Sequence, residues 1–309
     1  MANLTTDNKA DPDFSCSVVP ESVRMSKLSL TMAWWAICSA MIWLVISATL
    51  AINYGSVNTM VGLVLSIITY GIINGVISRF AIKTGLSVGL FSRLIYGKVG
   101  DILATAIFFT IAIYYCVFEG SVIAVAIQAF FSSLDLWQAY LIVVLYSVPL
   151  VFGSVGLWMD KLNGILLPFY IVGLIAAVSF AIHQYGYSNE WMSLGDNGSE
   201  IDKRWWSCYS YFMGLWVMMM YTWDYARFGK KEDSSYHSRI NFGMPFYFFT
   251  YFINGLVGIF LVATIPSETV LSETSIVFAL LNHYPHKTLY RLLLSTQQPK
   301  HRHPVQPLP

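Results

Sequence analysis

The sequence is poor in charge. Only 11% of its 309 residues are Asp, Glu, Lys or Arg, against about 25% in an average soluble domain. Between Leu28 and Ser78 no side chain is charged, and a water-exposed helix needs a polar face. Together with 56% hydrophobic residues and a mean hydropathy of +0.58, this scarcity excludes a soluble globular protein. The sequence therefore predicts an integral membrane protein whose partner is the lipid bilayer.

Other signatures are also missing. The four cysteines, Cys16, Cys38, Cys116 and Cys208, lack metal-ligand spacing, which argues against a zinc site or a disulfide framework. A net charge of +1 without a basic stripe gives no sign of a nucleic-acid partner. The acidic and polar N-terminus does not resemble a cleaved signal peptide. The apolar segments contain neither a His/Glu metal pattern nor a nucleophile–base pair, so we expect no enzyme and no cofactor.

Long apolar segments are what the sequence does contain. A helix needs roughly 20 apolar residues to cross about 30 Å of hydrocarbon. Seven segments qualify, and they cover residues 28–53, 61–80, 102–134, 137–159, 164–182, 205–223 and 244–265. None shows the two-residue alternation of β-barrel strands. The predicted fold class is an all-α polytopic membrane protein.

The basic residues between these segments predict the orientation, because cytoplasmic loops are enriched in Lys and Arg. With the N-terminus in the cytoplasm, the inner side holds twelve basic residues: Lys9, Arg24, Lys27, Arg79, Lys83, Arg93, Lys98, Lys161, Arg227, Lys230, Lys231 and Arg239. The outer side holds two before the tail, Lys203 and Arg204. We therefore expect a multi-pass protein with a cytoplasmic N-terminus.

The spans divide the chain into five regions. These are a cytoplasmic segment (1–27), a first group of five helices (28–182), an external loop (183–204), helices six, seven and a partial eighth (205–281), and a Pro- and His-rich basic tail (282–309). The tail breaks the charge pattern of the rest. Either it is an ordinary disordered terminus, or an eighth span beginning near 271 is cut short and followed by unrelated sequence, as after a frameshift.

One acidic residue, Glu119, interrupts the third span. An ionisable group inside a span is expensive to bury, so it is a functional candidate by default. Tyr115 lies four residues earlier, on the same face of the helix. A ring beside a carboxylate suits a flat heterocycle that stacks and donates N–H groups. The alternatives are a protonated, structural carboxyl bonded to a neighbouring helix and a tyrosine that only packs in an aromatic core.

Two spans contain places where a helix could break. The first holds the small residues 36–41 between tryptophans, and the sixth holds Gly214-Leu215-Trp216. Small residues either let helices pack closely or permit local unwinding, which at membrane depth is tolerated only beside a cavity. Weakened helices at corresponding places in two halves of a chain point to the binding site of a transporter. For the polar residue Asn254 in span seven, we expect a hydrogen bond that packs helices together rather than a contact with a ligand.

Two loop motifs are more specific. Lys83-Thr84-Gly85, followed by Ser92-Arg93 and Tyr96-Gly97, joins spans two and three, and Asp224-Tyr225-Ala226-Arg227-Phe228 ends span six. From about residue 21 to 281 the chain resembles the nucleobase:cation symporter-1 family, in its bacterial cytosine/purine permease branch. The resemblance implies the first seven helices, plus a partial eighth, of a five-plus-five inverted-repeat transporter that moves nucleobases or related heterocycles with Na+ or H+.

The resemblance also implies a site. Its substrate-binding residues would be Tyr115, Glu119, Gly214, Leu215, Trp216 and Ala40, with Leu215 or Trp216 in the place of the second aromatic, and its cation-binding residues would be Ala36 and Ser39. Tyr and Glu replace the family's usual Trp and amide, which indicates a substrate with more N–H donors than acceptors. The family's eighth span is missing, so we expect an incomplete copy, monomeric, in the bacterial inner membrane, with impaired transport. The alternative is a non-transporting receptor or scaffold, or an inactive remnant.

Overall fold

The chain folds into helices. The computed structural model describes residues 13–131, 133–151, 160–195 and 198–264, and this part of the chain contains no β-strand. Its α-helices are α1 (Lys27–Trp35), α2 (Ile42–Tyr54), α3 (Ser56–Thr84), α4 (Val88–Phe130), α5 (Leu136–Val151), α6 (Asp160–Tyr185), α7 (Arg204–Met213), α8 (Val217–Ala226), α9 (Ser234–Tyr236), α10 (Met244–Tyr247) and α11 (Asn254–Thr264). The all-α class is confirmed there, while the predicted partial eighth span and the tail lie outside the described residues.

Five helical stretches are long and apolar enough to cross a membrane: Lys27–Tyr54, Ser56–Thr84, Val88–Gln128, Gly164–Tyr185 and Lys231–Thr264. They correspond to predicted spans one, two, three, five and seven. Predicted span four is represented by α5, and its continuation at 152–159 lies outside the described residues. Predicted span six consists of the two ten-residue helices α7 and α8. The helices indicate a multi-pass membrane protein.

The third span bends before it enters the apolar region. Gly97 interrupts α4 with φ 71° and ψ −168°, a backbone conformation that residues with a Cβ rarely adopt. Residues 88–96 therefore form a short separate helix, directed by the Ser87 hydroxyl, which accepts the Leu90 amide at the N-cap. The glycine of the Tyr-Gly motif thus sets the angle at which span three starts.

The first span is broken where the sequence is rich in small residues. Helix α1 ends at Trp35, Ala36–Ser39 forms a single 3-10 turn, and Ala40 adopts an extended backbone (φ −67°, ψ 128°) before α2 begins. An extended residue cannot continue the hydrogen-bond ladder of an α-helix. Of the two possibilities that the sequence left open, the structure shows the unwound one.

The sixth span has a milder break at Gly214-Leu215-Trp216. Here the chain tightens, since the Leu215 amide donates to the Phe212 carbonyl at 3.1 Å and the Met219 amide to the Trp216 carbonyl at 2.9 Å, each three residues back. Such a 3-10 stretch inside a span often marks a functional or strained point. The predicted interruption of span six is confirmed as a tightened turn.

The two broken spans run in opposite directions. Helix α1 starts at a face where the Met25 amide donates to the Phe228 carbonyl at 2.8 Å, which we call the N-terminal face. Helix α2 ends at the opposite face, where the Ser56 amide donates to the Leu194 carbonyl at 3.0 Å. Helices α7 and α8 cross from the opposite face back to the N-terminal face. Both breaks therefore lie in the middle of the bundle.

A buried aromatic cluster fills the bundle between α1, α3, α8 and the last span. Its largest fully buried members are Trp34, Tyr70, Phe242, Phe246, Tyr247 and Tyr251. Helices α4, α5 and α6 lie at the edge and present many exposed apolar side chains, a surface that suits contact with lipid tails. The central helices thus pack closely around the two breaks.

Residues 13–26, which we call the N-terminal segment, lie across the N-terminal face. The buried Arg24 guanidinium donates to the Ile82 carbonyl at 2.6 Å and to the Gly229 carbonyl at 2.8 Å. The Val19 amide donates to the Gly85 carbonyl at 3.0 Å. Because these carbonyls end α3 and follow α8, the segment ties the ends of two spans together.

Charged side chains hold the same segment at two further points. Arg227 donates to the carbonyls of Asp13 and Phe14, each at 2.9 Å. Lys231 bonds the Glu21 carboxylate, and this hydrogen bond lowers the pKa of Glu21 below its ordinary value. The Asp-x-x-Arg motif thus anchors the N-terminal segment beneath the bundle.

Candidate functional site

A small cavity lies where the two broken spans meet α4. Its volume is about 90 Å³. The lining residues are Ile37, Ala40, Ile42, Trp43, Tyr115, Glu119, Leu215, Val217, Met218 and Tyr221. Of these ten residues, Glu119 is the one with a carboxyl group, and most of the others are apolar. We call this space the central cavity, and it is where irregular backbone at membrane depth is expected.

Glu119 caps the second half of span one. Its Oε2 accepts the Met41 amide at 3.2 Å, and its Oε1 accepts the Ile42 amide at 3.1 Å. The first amides of a helix have no partner within it, and the positive end of the helix dipole favours a carboxylate. The break therefore creates two free donors, and a side chain from α4 satisfies both.

Tyr115 lies one turn before Glu119 and separates two spaces. It lines the central cavity, and it also lines a larger space of about 390 Å³ toward the opposite face, which we call the vestibule. Ile42 and Leu215 border both spaces as well. The predicted pairing of Tyr115 with Glu119 on one helix face is present, and both side chains point toward the breaks of spans one and six.

Of the two candidates in span six, Leu215 and not Trp216 faces the central cavity. Leu215 is 6% exposed and lines the cavity, whereas Trp216 is 42% exposed and is not among the lining residues. Gly214 borders the vestibule and is not among the residues that line the central cavity. On the first span, Ala40 lines the cavity, and its role in substrate binding stays a prediction. The turn at 214–216 points Leu215 inward, so this geometry brings no aromatic ring of these three residues to the cavity.

Tyr221 is a lining residue that sequence reasoning missed. It borders the central cavity and a further space of about 260 Å³ at the N-terminal face. Met218 and Tyr221 are three residues apart on α8, so helical spacing after Leu215 could have identified both. Tyr221 thus holds the position on the N-terminal side that Tyr115 holds on the other.

Two of the carbonyls at the break in span one, those of Ala36 and Ile37, already accept side-chain hydrogen bonds. The Ser39 hydroxyl donates to the Ala36 carbonyl at 2.7 Å, and the Trp43 indole donates to the Ile37 carbonyl at 2.7 Å. Neither Ala36 nor Ser39 lines the central cavity. Among the residues that the structure describes, no group of three His, Cys, Asp or Glu side chains could hold a metal. The cation role of Ala36 and Ser39 stays a prediction.

Asn254 holds the turn in place from span seven. Its Nδ2 donates to the Cys38 carbonyl at 2.7 Å, and its Oδ1 accepts the Tyr170 hydroxyl of α6 at 3.2 Å. The side chain is buried. This arrangement is the helix-packing hydrogen bond that the sequence favoured, and it fixes the break relative to two other spans.

We expect Asn254→Leu to lower the stability of the protein in detergent by about 1–3 kcal/mol, because the Cys38 carbonyl and the Tyr170 hydroxyl would lose their partner. Asn53→Leu is the matched control, since the exposed Asn53 side chain bonds only the Thr49 carbonyl of its own helix. Thermal unfolding of the two purified variants measures the difference. Equal midpoints would show that Asn254 does not hold the turn.

No protein-family model matches the chain, and no curated protein matches it. The resemblance carried by the Lys-Thr-Gly and Asp-x-x-Arg motifs therefore stays a prediction. The geometry of the central cavity is what the structure adds to it.

Proposed function

We propose that this chain forms the substrate-binding part of a secondary transporter for nucleobases or related heterocycles, of the nucleobase:cation symporter-1 type. The observation that carries the proposal is the meeting of two broken, oppositely directed spans at a cavity with one carboxylate. Discontinuous helices at mid-membrane depth are the places where such transporters bind substrate. Closely packed spans without a cavity have no comparable reason to break.

The arrangement of cavities supports transport rather than binding alone. The vestibule, the central cavity and the space at the N-terminal face follow one another across the bundle. Tyr115 and Leu215 line both the vestibule and the central cavity, and Tyr221 lines both the central cavity and the space at the N-terminal face. Rearrangement of a few side chains and half-helices would open the central cavity to one face at a time, as alternating access requires.

The side chains of the cavity fit a planar ligand with N–H donors. Tyr115 offers a ring face, and aromatic rings bind flat heterocycles by stacking. Glu119 offers carboxylate oxygens, which accept N–H groups strongly when charged. Leu215 and Met218 add apolar surface. A nucleobase has the required flatness and edge donors, whereas an aliphatic sugar has neither the flat face nor the apolar surface.

We place the N-terminal face in the cytoplasm of a bacterial cell, with the chain in the inner membrane. The support is the charge pattern, because the basic side chains of Arg24, Lys27, Arg227 and Lys231 all lie at this face, and positive residues favour the cytoplasm. A sodium or proton gradient would drive uptake. Thiol labelling of Cys16, which is exposed in the N-terminal segment, from either side of sealed vesicles checks the orientation.

The proposal is tested by binding and uptake with the purified chain in lipid. A panel of cytosine, uracil, adenine, guanine, hypoxanthine and allantoin is titrated, and bound ligand is measured by calorimetry and by thermal stabilisation. Uptake of a bound radiolabelled compound into proteoliposomes is then followed under a sodium or a pH gradient. Binding with uptake supports a transporter, binding without uptake fits both an incomplete transporter and the receptor alternative, and no binding of any heterocycle overturns the proposal.

We expect Leu215→Ala to weaken binding of the best heterocycle by about five- to tenfold, because an apolar wall of the cavity is lost, at about 1–1.4 kcal/mol. Trp216→Ala is the matched control and should leave the affinity unchanged, since its ring points away from the cavity. Titration of both variants measures the effect. The reverse order of effects would show that the register of span six is shifted by one residue.

A further inference from the structure

We propose that Glu119 is a built-in anion at the start of α2 and that it restricts the site to ligands with two adjacent N–H donors, amidinium-like cations included. Ligands that carry a carboxylate are excluded. This inference rests on the proposed function, because it names the ligand class of the same cavity. It differs from a plain hydrogen-bonding role, since the carboxylate serves the helix and the ligand at once.

The first step is the number of hydrogen bonds that the Glu119 carboxylate can accept. Each Glu119 oxygen accepts one backbone amide, from Met41 or Ile42. An ionised carboxylate oxygen has two acceptor positions, so each oxygen retains one for a further donor. Glu119 belongs to the lining of the central cavity. Two parallel N–H groups can therefore bind on one side of the carboxylate while α2 remains bonded on the other.

The second step is charge. The unpaired amides of a helix start attract anions, and in this chain Glu119 already fills that position at the 13-residue helix α2. None of the residues that line the cavity is Lys, Arg or His. A second anion would therefore stand beside Glu119 without a compensating cation, and like charges at short range in a low-dielectric site repel strongly.

The third step concerns movement. Glu119 lies on α4, and the amides that it holds belong to the outer half of span one. A ligand bonded to the same carboxylate joins both elements to span six through Leu215 and Met218, which border the same cavity. A bound ligand would thus contact the residues at both helix breaks directly. Glu119 is accordingly a specificity-determining and positioning residue.

The test uses two matched pairs of probes on the purified chain. Guanine presents an N–H beside an amino group, and hypoxanthine is the same ring system without that amino group. Benzamidine and benzoate have similar shape and opposite charge. We expect guanine to bind at least about tenfold more tightly than hypoxanthine, and benzamidine at least about tenfold more tightly than benzoate, because the bidentate charged contact is lost or reversed.

The variant Glu119→Ala should bind benzoate more tightly than benzamidine, which is the reverse of the order expected for the wild type. Its α2 amides are left without an acceptor, so acetate or benzoate can occupy the space and bind them. We expect acetate to raise the thermal unfolding midpoint of Glu119→Ala and to leave that of the wild type unchanged. Glu190→Ala, which removes a carboxylate from an external loop, is the control and should not respond to acetate.

The outcomes separate this inference from the proposed function. Equal affinities within both probe pairs, together with nucleobase binding, would overturn the role of Glu119 and leave the transporter proposal intact. A charge-selective response of the benzene probes without binding of any nucleobase would support Glu119 as the built-in anion and remove the nucleobase as ligand. If Glu119→Ala does not fold, the wild-type affinities for benzamidine and benzoate decide the question.

Discussion

Gly62→Leu is expected to force α3 away from α7 and to produce one of the largest losses of stability in this protein. A Cβ on Gly62 would lie 2.7 Å from the Cys208 Cβ and 2.8 Å from the Tyr209 amide nitrogen. Neither atom can rotate away, because the nitrogen is backbone and the position of a Cβ is set by its own backbone. Overpacking of this kind costs about 1–3 kcal/mol for small additions and more for large ones.

The physical reason is specific to helices in lipid. Without a hydrophobic drive between spans, close backbone approach at small residues provides much of the packing energy. We expect Gly62→Ala to lower the unfolding midpoint in detergent and Gly62→Leu to lower it further. The buried Cys208 thiol should also become reactive toward a maleimide, as seen by mass spectrometry in a background where the exposed Cys16 and Cys116 are replaced by serine.

A glycine in the same chain provides the control for this prediction. Gly173 lies within α6, and a Cβ added there meets nothing within 4 Å. Gly173→Ala should leave stability unchanged or raise it slightly, because alanine favours the helix over glycine. If Gly62→Leu behaves like Gly173→Ala, and Cys208 stays protected, the close contact between α3 and α7 is wrong.

Arg24→Met is expected to detach the N-terminal segment and to destabilise the protein by about 2–5 kcal/mol. The guanidinium is buried and donates to two carbonyls from distant parts of the chain, Ile82 and Gly229, and the Glu21 carboxylate lies 3.3 Å from it. Removing one partner of a buried charged network leaves the other groups without compensation. Methionine keeps much of the volume, so the loss is electrostatic.

The measurement is thermal unfolding combined with limited proteolysis of the N-terminal segment. We expect faster cleavage within residues 13–26 in Arg24→Met. Arg24→Lys should recover only part of the loss, because a single ammonium cannot reproduce the planar fork that reaches both carbonyls. Arg93→Met, at an exposed arginine of the same face, is the control. Equal cleavage rates in Arg24→Met and Arg93→Met would contradict the anchoring role.

The positions of the helix breaks could be predicted from sequence. The small residues at 36–40 and the glycine at 214 marked these places as candidates, because small residues within a span permit either close helix packing or local unwinding. The choice between those two possibilities required the structure. The acid within span three could also be expected to face inward, because lipid does not tolerate a charge. The same reasoning placed Tyr115 beside Glu119, since four residues make one helical turn.

The partners of these groups could not be predicted from sequence. Helical spacing shows which residues share a face of one helix, but it does not show how that helix is rotated against its neighbours. The choice between Leu215 and Trp216 depended on this rotation, and so did the inward position of Tyr221. Asn254 could be recognised as a buried polar residue, whereas its bond to the Cys38 carbonyl required the packing of three spans.

The sequence by itself determined that this chain is helical and apolar, and it marked two places in the spans where a helix could break, because these properties depend on the residue types within each segment. Only the tertiary structure decided that Glu119 bonds the first amides of α2 and that Arg24 joins the ends of α3 and α8. Those bonds connect residues 77 and 205 positions apart. Contacts between residues so far apart in the chain depend on how the helices pack against one another, which the residue types of a single segment do not specify.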